Sequence, residues 1–228
     1  QAFDATDWSG VAVLSNASSI ADSTLSVSGL TIATTINVND ESNVTVEFAD
    51  IATGAETATV ILNSVGSGTT STVTVVAGGT ANVNLDATAA DTLAAVNLTV
   101  NGTNFLRLEA GDGVETVTLT GTGNVHLTTD DLIATLNASA LTGTNRFTLS
   151  GDSDVSVVGG AGKDTFAFGT SLDSYDTIDG GADATDALTA TINNSNVNLN
   201  ATNLELATFT LANTVGQVTL TSAQSITS

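Results

Sequence analysis

The sequence predicts an all-β chain, and three observations carry that expectation. Apolar and polar residues alternate with a period of two in short runs. Gly, Asn and Asp interrupt those runs at close intervals, and no long stretch has the 3.6-residue spacing of an amphipathic helix. The third is a change of texture near residue 100. Residues 1–100 read as a β-rich part, either sandwich-like or built of further solenoid turns. Residues 101–228 read as a β-solenoid of the parallel β-roll type, with short strands at close spacing.

In chain order, residues 1–40 are the least patterned, with Phe3, Trp8 and Ile20 as anchors of a first core layer and short strands over 16–36. Alternation is clear at 42–48 (Ser-Asn-Val-Thr-Val-Glu-Phe), 72–76 and 96–100, with Gly/Ser turns at 65–70 and 78–79. This pattern suits an antiparallel sandwich. Beyond residue 100, strands are expected at 114–120, around Val125 and Leu127, at 136–141 and at 206–211. A helical turn or two would fit at 130–136. A solenoid turn cannot bury its own apolar face, so stacked neighbours must do it. The inward set is expected to be Val117, Leu119, Val125, Leu127, Leu132, Leu136, Leu141, Phe147, Leu149, Val155, Val157 and Phe166.

The chain has 228 residues and a formal charge of −21, from 24 acidic and 3 basic residues. It therefore lacks the basic footprint of a nucleic-acid binder and is repelled by an anionic membrane surface. No apolar run is long enough to span a bilayer. Cys, Met and Pro are absent, which removes disulfides and thiolate metal sites. An extracellular chain without disulfides needs another staple, and bound metal is one. No basic-apolar-small leader opens the chain, and no initiator Met stands at Gln1. The expectation is a mature or excised piece.

The most informative stretch is 159–188. Gly159, Gly160, Gly162, Asp164 and the apolar Phe166 fit every specified position of the calcium-binding nonapeptide G-G-x-G-x-D-x-U-x. Glycines let the backbone turn tightly, and calcium takes six to eight oxygen ligands. A looser copy follows. Gly180 and Gly181 restart the motif, Asp183 replaces a glycine, and Asp186 falls one place late. Residues 169–175 should bulge as a loop, which would let Asp176 and Asp179 approach the same ion as Asp164. Asp112 with Glu115 is a degenerate version of the turn, better read as solvated.

This pattern, over roughly residues 43–228, resembles bacterial surface-layer proteins of the RTX, type I-secreted kind. The resemblance rests on 43–63, on 137–143 (Asn-Ala-Ser-Ala-Leu-Thr-Gly), on 159–168 and on 176–188. It implies folding by calcium outside the cell and assembly of copies into a lattice. It also implies a C-terminal export signal, which is not recognisable in 195–228. With one complete nonapeptide, few ions are expected.

Other chemistries fare worse. His126, the only histidine, lies in an alternating strand and should face solvent, with nothing marking out a nucleophile or orienting acid beside it. Asp112 with Glu115, or Asp130 with Asp131, could pair for glycoside hydrolysis, but the chain has one Trp and one Tyr to line a sugar cleft. Thr-x-Thr steps at 116–120 and 208–210 lack the register of an ice-binding array. The sequons, among them Asn16, Asn43, Asn97, Asn101, Asn137, Asn193 and Asn200, are what an Asn- and Thr-rich chain produces by chance. The expectation is thus a non-enzymatic, extracellular structural protein that binds calcium and self-assembles into a surface layer, sheath or filament. Its main partner is itself, with a cell-surface polysaccharide as a further expected partner. The alternatives are a module of a secreted RTX adhesin and an RTX-carried hydrolase, whose catalytic domain is not visible.

Overall fold

A computed structural model describes residues 2–4, 13–15, 24–30, 35–41, 43–48, 58–65, 71–86, 93–109, 114–129, 133–151, 153–183, 185–193, 196–212 and 217–220. In chain order its strands are β1 (Ala2–Asp4), β2 (Val13–Ser15), β3 (Thr24–Leu30), β4 (Thr35–Glu41), β5 (Asn43–Phe48), β6 (Ala58–Val65), β7 (Ser71–Asp86), β8 (Leu93–Glu109), β9 (Thr116–Gly121) and β10 (Asn124–Thr129). They continue as β11 (Thr135–Leu141), β12 (Asn145–Leu149), β13 (Ser156–Val158), β14 (Asp164–Gly169), β15 (Thr177–Asp179), β16 (Ala187–Ile192), β17 (Asn196–Thr202), β18 (Leu206–Leu211) and β19 (Gln217–Leu220). No helix is present among the described residues, and none there is long and apolar enough to cross a membrane.

Strands β1–β5 and β8–β17 each pair in parallel with the strand two places on, so the chain coils as a two-faced β-solenoid. β7 and β8 are long because each runs round a corner and serves both faces. The first part of β7 stacks on β5 and its last part on β6, while β8 pairs with β7 throughout and then carries β9 and β10. The fold class is therefore all-β solenoid. Of the two alternatives for residues 1–100, the parallel pairings β1–β3, β2–β4, β3–β5 and β4–β6 give further solenoid turns and not an antiparallel sandwich. β8 runs through residue 100 without a break.

The sandwich expectation failed for a physical reason. Parallel sheets commonly have both faces covered and read as continuous apolar runs. Here only the inner face is covered, so a parallel strand alternates as an antiparallel one would. The expected helical turn at 130–136 lies partly outside the described residues, and Thr135 and Leu136 are strand.

Inward residues stack in columns. Val96, Val117, Leu136, Val157 and Ile178 form one. Leu106, Leu127, Phe147, Phe166 and Leu188 form another on the opposite face. Phe147 and Phe166 are fully buried, with ring centroids 5.5 Å apart and planes at 30°, an offset stack that adds to their area burial. Every expected inward residue that is described is buried. Leu132, Trp8 and Ile20 lie outside the described residues, as does the side chain of Phe3, and Ile133 fills the core beside Leu132's position.

Candidate metal centre

The turns that follow β11, β13, β15 and β17 lie above one another, because the strands before and after them are in register. This edge is packed backbone against backbone. A β-carbon on Gly162 would overlap the Gly143 carbonyl oxygen, one on Gly159 that of Gly180, and one on Gly180 that of Asn203. Interturn hydrogen bonds hold the stack: Gly159 N–H to Asp179 O at 2.8 Å, Gly180 N–H to Thr202 O at 3.0 Å, and Ala182 N–H to Gly160 O at 3.0 Å. The motif glycines are thus required by close approach of successive turns.

The fourth turn of this stack uses Asn203 in place of glycine, at φ 53°. Asn tolerates the left-handed region better than other non-glycine residues, and its Nδ2 donates to Asp179 Oδ1 at 2.7 Å. Asn203→Ala is expected to cost about 1–2 kcal/mol from backbone strain, read by urea unfolding, whereas Asn203→Gly should unfold close to the unmodified chain.

Just beyond the glycines runs a polar column. Asn145, Asp164, Asp186 and Glu205 occupy equivalent positions on successive turns, at or just before the first residue of β12, β14, β16 and β18. Asp164 is fully buried. Its Oδ1 accepts Asn145 Nδ2–H at 2.7 Å and its Oδ2 accepts Gly160 N–H at 2.5 Å. Asp186, also fully buried, accepts Asp164 N–H on Oδ1 at 2.7 Å. Glu205 accepts Asp186 N–H at 2.8 Å. The other oxygen of Asp186, Oδ2, is buried without a partner. The reason is visible in the spacing. Gly181 N–H, the counterpart of Gly160 N–H, donates to Asp179 Oδ1 at 3.1 Å, and Asp186 sits one residue later in its turn than Asp164 does.

Three carboxylates one strand spacing apart, about 4.8 Å, repel one another inside a low-dielectric wall. Burial pushes Asp164 up from 3.8 to about 6; the Asn145 and Gly160 hydrogen bonds oppose the rise and the Asp183 charge adds to it. Burial likewise lifts Asp186 to about 7, opposed by the Asp164 N–H and reinforced by the charges of Asp164, Glu205 and Asp183. Uncompensated, the surroundings of Asp164 and Asp186 disfavour their ionised forms.

The structure brings Gly159, Gly160, Gly162, Asp164, Asp179, Gly180, Gly181, Asp183 and Asp186 to this edge, but not all point inward. Asp183 is half-buried and accepts the Thr185 hydroxyl. Asp179 is occupied by Gly181 and Asn203. Asp176 is on the opposite edge, at the end of the 170–176 loop, and cannot join Asp164. Its carboxylate accepts Val155 N–H at 2.9 Å and Asp173 N–H at 2.8 Å, so it ties the loop to the turn before. Burial raises its pKa, against those two hydrogen bonds. The loop itself exposes Tyr175 and buries Leu172. Asp112, Asp130 and Asp131 lie outside the described residues; Glu115 is exposed.

Among the described residues, no three His, Cys, Asp or Glu side chains are grouped so as to hold a metal ion by themselves. Asp164 and Asp186 are two hard oxygen donors, and the unpartnered Oδ2 is an oxygen still lacking a positive neighbour. That donor set suits calcium, provided backbone carbonyls of the glycine turns or water complete the shell. Asn145 and Glu205 were not singled out in the sequence. Their only signal is position, 19 residues before Asp164 and 19 after Asp186, which becomes meaningful once the coil length is known.

Compared with known proteins, the chain matches no family model, no curated protein and no solved structure.

Proposed function

We propose that this chain is a non-catalytic, extracellular structural protein of the RTX surface-layer kind, folded and stabilised by calcium and assembling with further copies into a layer, sheath or filament. The observation that carries the calcium part is the Asp164–Asp186–Glu205 column with its unpartnered, buried Oδ2. Asp164 and Asp186 would hold the ion, with Asp183 close enough to add charge and the turns 159–162 and 180–182 supplying backbone oxygens. Calcium supplies the positive charge that a like-charged column lacks. The chain's own contribution is to fix the carboxylates in register and to exclude bulk water from them.

Self-assembly is supported by the exposed side of β18. Among the described residues no strand covers the outer side of β18, which exposes Leu206 at 57% and Leu211 at 54%. An uncovered parallel edge with apolar side chains is a template for pairing with another chain. Light scattering in millimolar calcium, then in excess chelator, tests both halves. Large particles that dissociate on chelation are expected. A monomer under both conditions removes self-assembly, and particles indifferent to chelator remove calcium as its control. The alternative, a module of a secreted calcium-binding adhesin, is favoured by a separate feature, an exposed cationic and aromatic ridge.

A further inference from the structure

A chain of charge −21 has three cationic side chains and one histidine, and the solenoid gathers all four on one outer face. Two rows of outward residues run along the axis there. Asn82, Phe105, His126 and Arg146 are register partners on successive turns. Beside them run Asn84, Arg107 and Thr128. Lys163 borders the same groove as Arg146. Nothing in the local sequence demands this, because the four residues are spread over 57 positions, from Arg107 to Lys163.

Two of the cations, Arg146 and Lys163, are left available. Arg107 is paired with Glu109, but among the described residues no ion pair engages Arg146 or Lys163, although acids outnumber bases eightfold in the chain. Phe105 is 51% exposed and rests on His126, with centroids 5.9 Å apart at 58°. His126 Nε2 lies 3.2 Å from the Thr148 hydroxyl. Partial burial, and then the Arg146 charge, lower its pKa, so it braces the ring as a neutral imidazole. Asn84 lines this groove, and its Oδ1 is buried without a partner.

We propose that this ridge binds an acidic polysaccharide, a chain of uronate-type sugars lying along the solenoid axis. Each feature fits that ligand. Arg146 and Lys163 take carboxylates by charge-assisted hydrogen bonds. Phe105 offers an apolar platform to the C–H face of a pyranose ring. The asparagine and threonine side chains both donate and accept, as sugar hydroxyls require. Solenoid turns recur about every 4.8 Å, close to the length of one sugar residue, so successive sugars meet equivalent turns. The proposal depends on neither calcium nor self-assembly.

The test is calorimetric titration of the full chain with a hyaluronan oligosaccharide, at constant calcium, against a neutral chitin-derived oligosaccharide. The uronate ligand should bind and the neutral one should bind about tenfold more weakly or not at all. The double variant Arg146→Gln/Lys163→Gln should lose about tenfold in affinity, and Phe105→Ala about fivefold. Melting temperatures should stay within a degree or two, since these side chains are exposed. Absence of uronate binding, equal binding of the neutral sugar, or unchanged affinity of the double variant each overturns the proposal. If the double variant alters particle size while the uronate ligand fails to bind, the ridge is a contact between copies and the saccharide proposal falls.

Discussion

Gly180→Ala is expected to destabilise the chain by about 3 kcal/mol or more, because the new methyl has no space to enter. Its position overlaps the Asn203 carbonyl and sits 2.9 Å from Asp186 Oδ2. Relief requires two turns of the coil to separate, which breaks the Gly180 N–H to Thr202 O bond at 3.0 Å and its neighbours. Against a typical total stability of about 5–15 kcal/mol, the loss is large. Gly169→Ala separates packing from backbone strain. Gly169 has φ 57° but nothing within 4 Å of its would-be β-carbon, so only the left-handed conformation is penalised, by about 1–2 kcal/mol. Urea midpoints of the two variants decide the matter. Equal losses would mean that the glycine edge is not tightly packed, and the motif glycines would need another explanation.

Calcium and pH should act on the same column in opposite senses. Asp164 and Asp186 titrate near 6 and 7 in the folded chain, against 3.8 ordinarily. Between about pH 4 and pH 7 the folded state therefore holds more protons than the unfolded one. Stability then falls as pH rises through that window. In chelator, the melting temperature is expected to be higher at pH 5 than at pH 7.5. Calcium should reverse the order, because the ionised column binds it while the protonated one does not. At a hundredfold excess over its dissociation constant, calcium would add about 2.7 kcal/mol. Asp186→Asn should flatten the pH dependence, raise stability at pH 7.5 in chelator and weaken the response to calcium. A chelated chain whose melting temperature is flat from pH 5 to 8 would show that the column is not charged and buried as described. A full calcium response in Asp186→Asn would move the ion elsewhere.

Much of the fold was legible in the residues themselves. Period-two alternation located the inward residues from Val117 to Phe166, because which side of a strand faces the core is decided residue by residue. The Gly159–Asp164 turn was legible for a similar reason: tight turns and buried carboxylates need particular residue types at fixed offsets. Loop 169–175 followed from the excess length between Gly159 and Gly180.

Other features were decided only by the coil. Alternation is blind to strand direction, so parallel turns and an antiparallel sandwich looked alike over residues 43–100. The coil has no fixed period. One turn takes 19 residues from Ser26 to Thr45 and the next takes 29 from Thr45 to Thr74, so vertical neighbours cannot be counted off along the chain. Hence Asp176, near Asp179 in sequence, stands on the other edge, while Asn145 and Glu205, far from Asp164 in sequence, join its column. The cationic and aromatic ridge arose the same way. Side-chain type fixes what faces in or out; register between turns, set by packing over the whole coil, fixes which outward or buried groups meet.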